Sequence, residues 1–375
     1  MCNVRKVYDS LKVLEREPGT LSVTDRIRAI NRPLLNWYRS HARILPWREE
    51  PKPYRVWISE IMLQQTRVEA VKSYYARFIE ALPRVANLAA CPQERLLKLW
   101  EGLGYYNRVK NMQKAAIEVM EKYEGVLPAD YEKLLKLPGI GSYTAGAVAS
   151  IAYGIPEPAV DGNVLRVITR ITEDPEDILK QSMKKKIEDK LRDVMPKDRP
   201  GDFNQSLMEL GATVCVPNGM AKCGQCPVAH LCKAKEHGTV MDYPHKAQKK
   251  QRKIEERTVL VIQNGQEFAI HKRPSKGLLA GLYELPNQEG YLSRDEILAY
   301  VEKLSLMPLH IVEAGEAKHI FSHVEWHMKG YFIKVAATEE KRIGDLIFVD
   351  KKESKGKYPI PAAFSAYRKY IEEDF

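Results

Sequence analysis

The chain has 375 residues, 44% hydrophobic and 29% charged; this length suits two or three domains, and the composition excludes a mainly disordered or collagen-like protein. Lys and Arg (59) outnumber Asp and Glu (49), and the net charge of +10 is a weak pointer to a polyanionic partner; six cysteines are too few for a disulfide scaffold. The longest uncharged stretch, 137–156, carries four glycines and two prolines and reads as a soluble hairpin, not a bilayer span.

Residues 1–23 form a charged N-terminal extension. With Asp9, Glu15 and Glu17 and no apolar core, it is expected to be neither a secretory signal nor a transit peptide. A reducing, cytoplasmic location is the default, nucleoid-associated if the source is bacterial. From residue 24 to 233 the pattern is helical. Ile61, Val68, Val71, Tyr75 and Phe78 fall at steps of 7, 3, 4 and 3, which predicts one helix face, with Ser59 as its N-cap and Glu60 in its first turn. Further helices are expected over 94–101, 107–123, 131–136, 143–153, 163–171, 182–194 and 203–214, making an all-α domain.

Residues 234–256 read as a basic linker: KAQKKQRK at 246–253 has five basic residues in eight, either a solvated connector or one lying near phosphates. Strand patterns follow at 258–263, 267–273, 310–315 and 318–336, with an amphipathic helix at about 293–304, so 257–375 is expected to be an α+β domain.

Cys215, Cys223, Cys226 and Cys232 are spaced C-x7-C-x2-C-x5-C. Four thiols this close, in a reducing cell, point to a metal site. Structural zinc usually takes two separated C-x-x-C knuckles, and only one is present, so a [4Fe–4S] cubane is the better fit. In LPGIGSYTAGAV (137–148), Gly139 and Gly141 permit a tight turn whose backbone N–H groups and following helix suit a phosphate; the alternative is a helix–helix turn with no ligand. In VDGNV (160–164), Asp161 is either a helix cap or a functional carboxylate.

These three motifs together resemble the helix-hairpin-helix base-excision DNA glycosylases that carry an iron–sulfur cluster. LPWR (45–48), WISEIMLQQT (57–66), GLGYYNR (102–108) and FNQSLMELG (203–211) resemble the adenine DNA glycosylase (MutY) family within them, and the resemblance covers about 24–375. One departure is the first cysteine gap, seven residues where the family usually has six. The resemblance implies a partner, double-stranded DNA with adenine opposite 8-oxoguanine or guanine, bound by a monomer. It implies that Glu60 is the acid at adenine N7 and that Asp161 stabilises, or briefly bonds, the sugar C1′, with Tyr143 and Asn163 orienting the pair. Lyase relatives carry a lysine at position 143, so Tyr143 implies base removal without strand cleavage. Gln64, Gln65 and Tyr105 match the wedge that fills the gap left by a flipped base; Arg43, Trp47, Arg48 and Gln205 match the base pocket.

The segment 257–290 resembles the Nudix fold, with Gly281 and Glu284 where a Nudix box begins, but the helix at 293–304 lacks the clustered glutamates that hold Mg²⁺. The expectation is a Nudix-like domain that reads 8-oxoguanine, through Phe321, Ser322 and His323, rather than one that hydrolyses diphosphates. A pyrimidine glycosylase-lyase and a non-catalytic iron–sulfur DNA-binding protein are the competing readings; Tyr143 speaks against the first, and Glu60 with Asp161 against the second.

Overall fold

Pro53 lies in the first turn of the helix Pro53–Leu63, where a missing N–H costs nothing. Gln64 ends that helix, Gln65 takes a left-handed φ of 59°, and a new helix starts at Val68 and runs to Ala81. The one helix expected across Ile61 and Phe78 is therefore two. Ser59 is not an N-cap: it lies inside the first helix, its hydroxyl donating to the Val56 carbonyl at 2.9 Å, and Glu60 is in the last turn rather than the first. Val71, Tyr75 and Phe78 do share the buried face of the second helix. The break preserved the apolar phase, so periodicity alone could not see it.

The computed structural model describes residues 21–247 and 251–372. Most of the N-terminal extension, and the middle of the KAQKKQRK run, lie outside the described residues. The chain divides into two compact units: residues up to Ala90 together with Asn111–Gln248, and Cys91–Lys110 together with Lys249–Phe375.

Among its described residues the first unit has helices and no strand. At its centre the helix Gly162–Thr172 is buried from Val164 to Thr172 and packs on the helix Pro200–Thr213. Leu34, Val164, Ile168, Leu207 and Leu210 meet in one core. The helix expected over 143–153 is α-helical only from Ser142 to Ala147, and Val148–Ala152 widens to a π-turn. Gly201 packs so closely there that a Cβ on it would lie 2.7 Å from the Ser150 carbonyl oxygen, and Asn204 donates to Ser150 Oγ at 2.8 Å. Residues read as linker belong to this unit up to 247: Tyr243 and His245 accept from Arg170 and from the Ile178 N–H through their carbonyls.

The second unit is built on an eight-stranded sheet with β1 Lys253–Asn264, β2 Glu267–Lys272, β3 Tyr283–Glu284, β4 Asn287–Glu289, β5 Pro308–Ile320, β6 Val324–Val335, β7 Arg342–Ile343 and β8 Leu346–Val349. The main order is β5-β6-β1-β2-β8-β7; β1 and β6 are parallel, and β5 and β6 form an antiparallel hairpin. Alternation along β1 sends Val259 and Val261 into a core with Trp326 and Phe364, and Leu260 and Ile262 into a core with Ile297 and Phe348 on the other face. The strand expected over 318–336 is broken at 321–323, where the chain reverses and the Phe321 N–H donates to the Val324 carbonyl at 2.9 Å. The helix Arg294–Lys303 starts with a capping box between Ser293 and Glu296.

The segment Cys91–Lys110 joins this sheet through polar contacts that no sequence pattern announces. Glu94 accepts from Lys272 at 3.1 Å and from the Tyr283 hydroxyl at 3.0 Å; Lys98 donates to the Ser354 and Tyr358 carbonyls; Glu101 accepts from the Ile360 N–H at 2.9 Å.

Candidate active site

Four of the residues singled out by sequence meet in the helical unit. Glu60 is buried on the Pro53–Leu63 helix and takes a short hydrogen bond on Oε2 from the Tyr143 hydroxyl. Asp161 is the N-cap of the helix Gly162–Thr172: Oδ1 accepts from the Val164 N–H at 2.8 Å, and Oδ2 accepts from Asn163 Nδ2 at 2.7 Å. Asp161 is thus both a cap and part of a carboxylate pair. Burial pushes Glu60 up to about 7; the Tyr143 hydroxyl pulls it down, the Asp161 charge pushes it up, and Arg48 pulls it down. Burial also raises Asp161, against the hydrogen bonds from Val164 and Asn163 that favour its carboxylate. Tyr143 is pushed well above the usual phenol range by burial and by both carboxyls, which keeps it a donor.

Asn163 is held in turn. Arg166, one turn along the same helix, donates to Asn163 Oδ1 at 2.9 Å, to the Gly211 carbonyl at 2.7 Å and to the Cys215 carbonyl at 2.8 Å. Gly211 allows the approach: a Cβ there would lie 2.6 Å from Asn163 Cβ.

Arg43 and Arg48 are not free rim cations. Both pair with Glu209, which is fully buried: Arg43 Nε at 2.6 Å and Arg48 Nη2 at 2.8 Å. Burial works to raise Glu209, but the two guanidinium groups hold it below the ordinary carboxylate range. Nothing in FNQSLMELG marks Glu209, although it is one helical turn from Gln205, which is half-buried on the same helix. Trp47 is buried edge-on to Tyr75, with centroids 5.5 Å apart. Gln64 reaches Thr144 Oγ1 at 3.4 Å, and Gln65 is exposed in its left-handed conformation, which for a non-glycine residue is a strained backbone.

The hairpin turn lies between the helices Tyr131–Leu135 and Ser142–Ala147. Gly139 takes φ 76°, and a Cβ on it would come 2.7 Å from Asn111 Cβ; Gly141 is the exposed residue before the second helix. The four cysteines line one pocket with Val167, Leu210 and Val214 and form no disulfide. Burial pushes the Cys226 thiol up to about 12 and raises Cys232. Among the described residues no group of three or more His, Cys, Asp or Glu gathers to hold a single ion. Within the first cysteine gap Gly219 takes φ 73° and Met220 is exposed.

In the sheet unit, Gly102–Arg108, Gly277–Ala280 and His319–His323 line a groove of about 680 Å³. Tyr105 stands half-exposed in it at φ 46°, with the Arg108 guanidinium 5.6 Å from its ring. Phe321 is half-buried, edge-on to Trp326 and His319; Ser322 and His323 are exposed, 3.3 Å apart between Oγ and Nδ1. Glu284 is buried between Arg273 at 2.5 Å and His271 at 2.9 Å.

The HhH-GPD superfamily of base excision DNA repair proteins matches residues 58–196, and a NUDIX domain matches 258–370. The chain is 34% identical to the human adenine DNA glycosylase over 359 residues, covering 80% of this chain and 66% of that protein, and 38% identical to that of Arabidopsis thaliana, covering 78% and 55%. It is 33% identical to the adenine DNA glycosylase of Buchnera aphidicola subsp. Baizongia pistaciae, covering 80% and 84%. The chain therefore spans just under two thirds of the human relative's length. Among solved structures, it is similar to a thermostable thymine-DNA glycosylase, at 28% identity and TM-score 0.52 over 58% of this chain and all of the other. It is also similar to endonuclease III in a non-covalent complex with DNA, at 27% and 0.50 over 58% and 99%. Among the described residues no helix is long and apolar enough to cross a membrane. The helix-hairpin-helix fold and its superfamily match place the chain among the base excision DNA repair proteins. Within that class the chain belongs to the adenine DNA glycosylase family.

Proposed function

We propose that this chain, acting as a monomer, hydrolyses the N-glycosidic bond of adenine opposite 8-oxoguanine or guanine in duplex DNA and leaves an abasic site in an unbroken strand. The observation that carries this reading is the buried Glu60, with a pKa of about 7, enclosed with Tyr143 and Asp161. Adenine is a poor leaving group until it is protonated. Glu60 gives its proton to N7, the C1′–N9 electron pair leaves with the base, and the Asp161 carboxylate stabilises or briefly bonds the cationic C1′. Water then completes the sugar and its proton passes to a carboxylate. Tyr143 steadies Glu60 as a donor and, lacking an amine, offers no Schiff-base route to strand cleavage. Asn163 holds Asp161 in place.

Reaching the base requires flipping it out of the stack. Gln64, Gln65 and Tyr105 are read as the wedge, Arg43, Trp47, Arg48 and Gln205 as the walls of the adenine pocket, and the turn at Gly139 and Gly141 as a phosphate contact. Cys215, Cys223, Cys226 and Cys232 are read as the holders of a [4Fe–4S] cluster, which braces the fold beside the active-site helix. Ser322, flanked by Phe321 and His323, is read as the acceptor for the N7 hydrogen that 8-oxoguanine has and guanine lacks. Glu284, tied to Arg273 and His271, supports recognition rather than diphosphate hydrolysis. The test is a duplex with adenine opposite 8-oxoguanine, incubated with the protein and then with or without alkali. Strand breakage only after alkali is expected; breakage without it, or none at all, contradicts the reading.

A further inference from the structure

Discrimination through the N7 hydrogen needs groove walls fixed to a fraction of an ångström. The walls here include two separate segments, Gly277–Ala280 and His319–His323; the Arg273 guanidinium bonds the first and lies near the Trp326 ring on which Phe321 of the second packs. Arg273 donates from Nε to the Leu278 carbonyl at 2.9 Å and from Nη1 to Glu284 at 2.5 Å. Its charged centre lies 5.8 Å from the ring of Trp326, within cation–π range, and Arg257 lies 4.3 Å from the same ring. Trp326 is fully buried and donates its indole N–H to Glu255 at 3.1 Å. Phe321 rests edge-on against it, with centroids 4.9 Å apart. The Arg273 backbone N–H closes the same loop by donating to the Leu282 carbonyl at 2.8 Å.

We propose that Arg273 is the positioning residue for opposite-base discrimination: it ties the Leu278 wall of the groove to the Trp326 platform under Phe321 and so sets the spacing of the two walls. This rests on the reading of the groove as the 8-oxoguanine site. Glu284, at the start of the Nudix-like box, serves as the anchor for that guanidinium.

The test compares single-turnover rates and affinities on duplexes with adenine opposite 8-oxoguanine and opposite guanine. Four full-length proteins are used: wild type, Arg273→Lys, the double variant R273M/E284Q, and a triple alanine variant at Phe321, Ser322 and His323. Lysine keeps a charge beside Glu284 but cannot hold the fork of two directed bonds. The double variant removes both charges of the Arg273–Glu284 pair, so neither is left buried without the other, and a melting curve confirms that it folds. Both Arg273 variants are expected to narrow the preference for 8-oxoguanine by about 3- to 10-fold, with the rate opposite guanine kept within about 2-fold. A preference unchanged in both, or equal losses on both duplexes, overturns the proposal. If the triple variant loses the preference while the Arg273 variants keep it, the positioning role alone fails. If the wild type shows no preference, or the triple variant retains it, the groove reading fails and the proposal with it.

Discussion

Replacing Tyr143 by phenylalanine deletes one hydroxyl and leaves the ring in place. In the wild type that hydroxyl donates to Glu60 and favours its carboxylate, while burial favours the acid, and the balance leaves Glu60 at about 7. A hydrogen bond to a charged group is worth roughly 1.5–3 kcal/mol, and one pKa unit is about 1.36 kcal/mol. Losing the bond therefore raises the Glu60 pKa by about one to two units. The sign follows from the mechanism: Glu60 works only while protonated, so wild-type excision falls as pH rises through about 7. In Tyr143→Phe the falling limb moves to about pH 8–9, and the low-pH plateau drops because the acid is less well oriented. The assay is the single-turnover rate of adenine release at saturating protein, measured across that range. A limb that stays where it was, or moves toward acid, refutes the claim that this hydroxyl steadies a protonatable Glu60.

Glu60→Gln removes the transferable proton, and excision is expected to fall at least about 100-fold while duplex binding persists. Its stability carries a second signature. The folded pKa of Glu60 is raised above its ordinary 4.5, so the stability this site contributes is full below that value and is lost as pH rises through about 7. The loss amounts to roughly 3 kcal/mol. Urea melts should find Glu60→Gln more stable than wild type at pH 8, with the gap closing at pH 4; a gap of opposite sign would falsify the burial argument. Protein purified without air should contain about four irons per chain, and Cys223→Ala or Cys226→Ala should lose them together with solubility or DNA binding; stoichiometric zinc without iron contradicts the cluster. Ser322→Ala should narrow the preference for 8-oxoguanine over guanine by about 2- to 10-fold without abolishing activity, since one hydrogen bond is worth about 0.5–1.5 kcal/mol net; an unchanged ratio removes Ser322 from recognition.

Local chemistry made much of this molecule legible. The capping potential of Asp161, the turn at Gly139 and the alternation along β1 all follow from residue types at fixed spacing. Sequence periodicity failed where a break kept the apolar phase, at Gln64 to Arg67, and where one β-rich run turned back on itself at Phe321 to His323. It could not find Glu209, whose meaning comes from Arg43 and Arg48 some 160 positions away, at separations of 166 and 161 residues. Nor could it place Cys91–Lys110 with the sheet, because the bonds from Glu94, Lys98 and Glu101 are long-range polar contacts that leave no periodic trace. Arg273 was invisible for the same reason: its role is shared among a carbonyl, a carboxylate and an aromatic ring on three different segments.

The central claim is that Glu60 delivers a proton to N7 of the departing adenine, and it can be put to one measurement. A duplex carrying 7-deazaadenine opposite 8-oxoguanine keeps the shape and pairing edge of the base but has no nitrogen to accept that proton. The protein should bind this duplex about as tightly as the adenine duplex and release no base from it in a single-turnover assay, while releasing adenine from the unmodified control. Excision of 7-deazaadenine at a rate comparable to that of adenine would contradict acid catalysis at N7, and with it the role given to the buried Glu60.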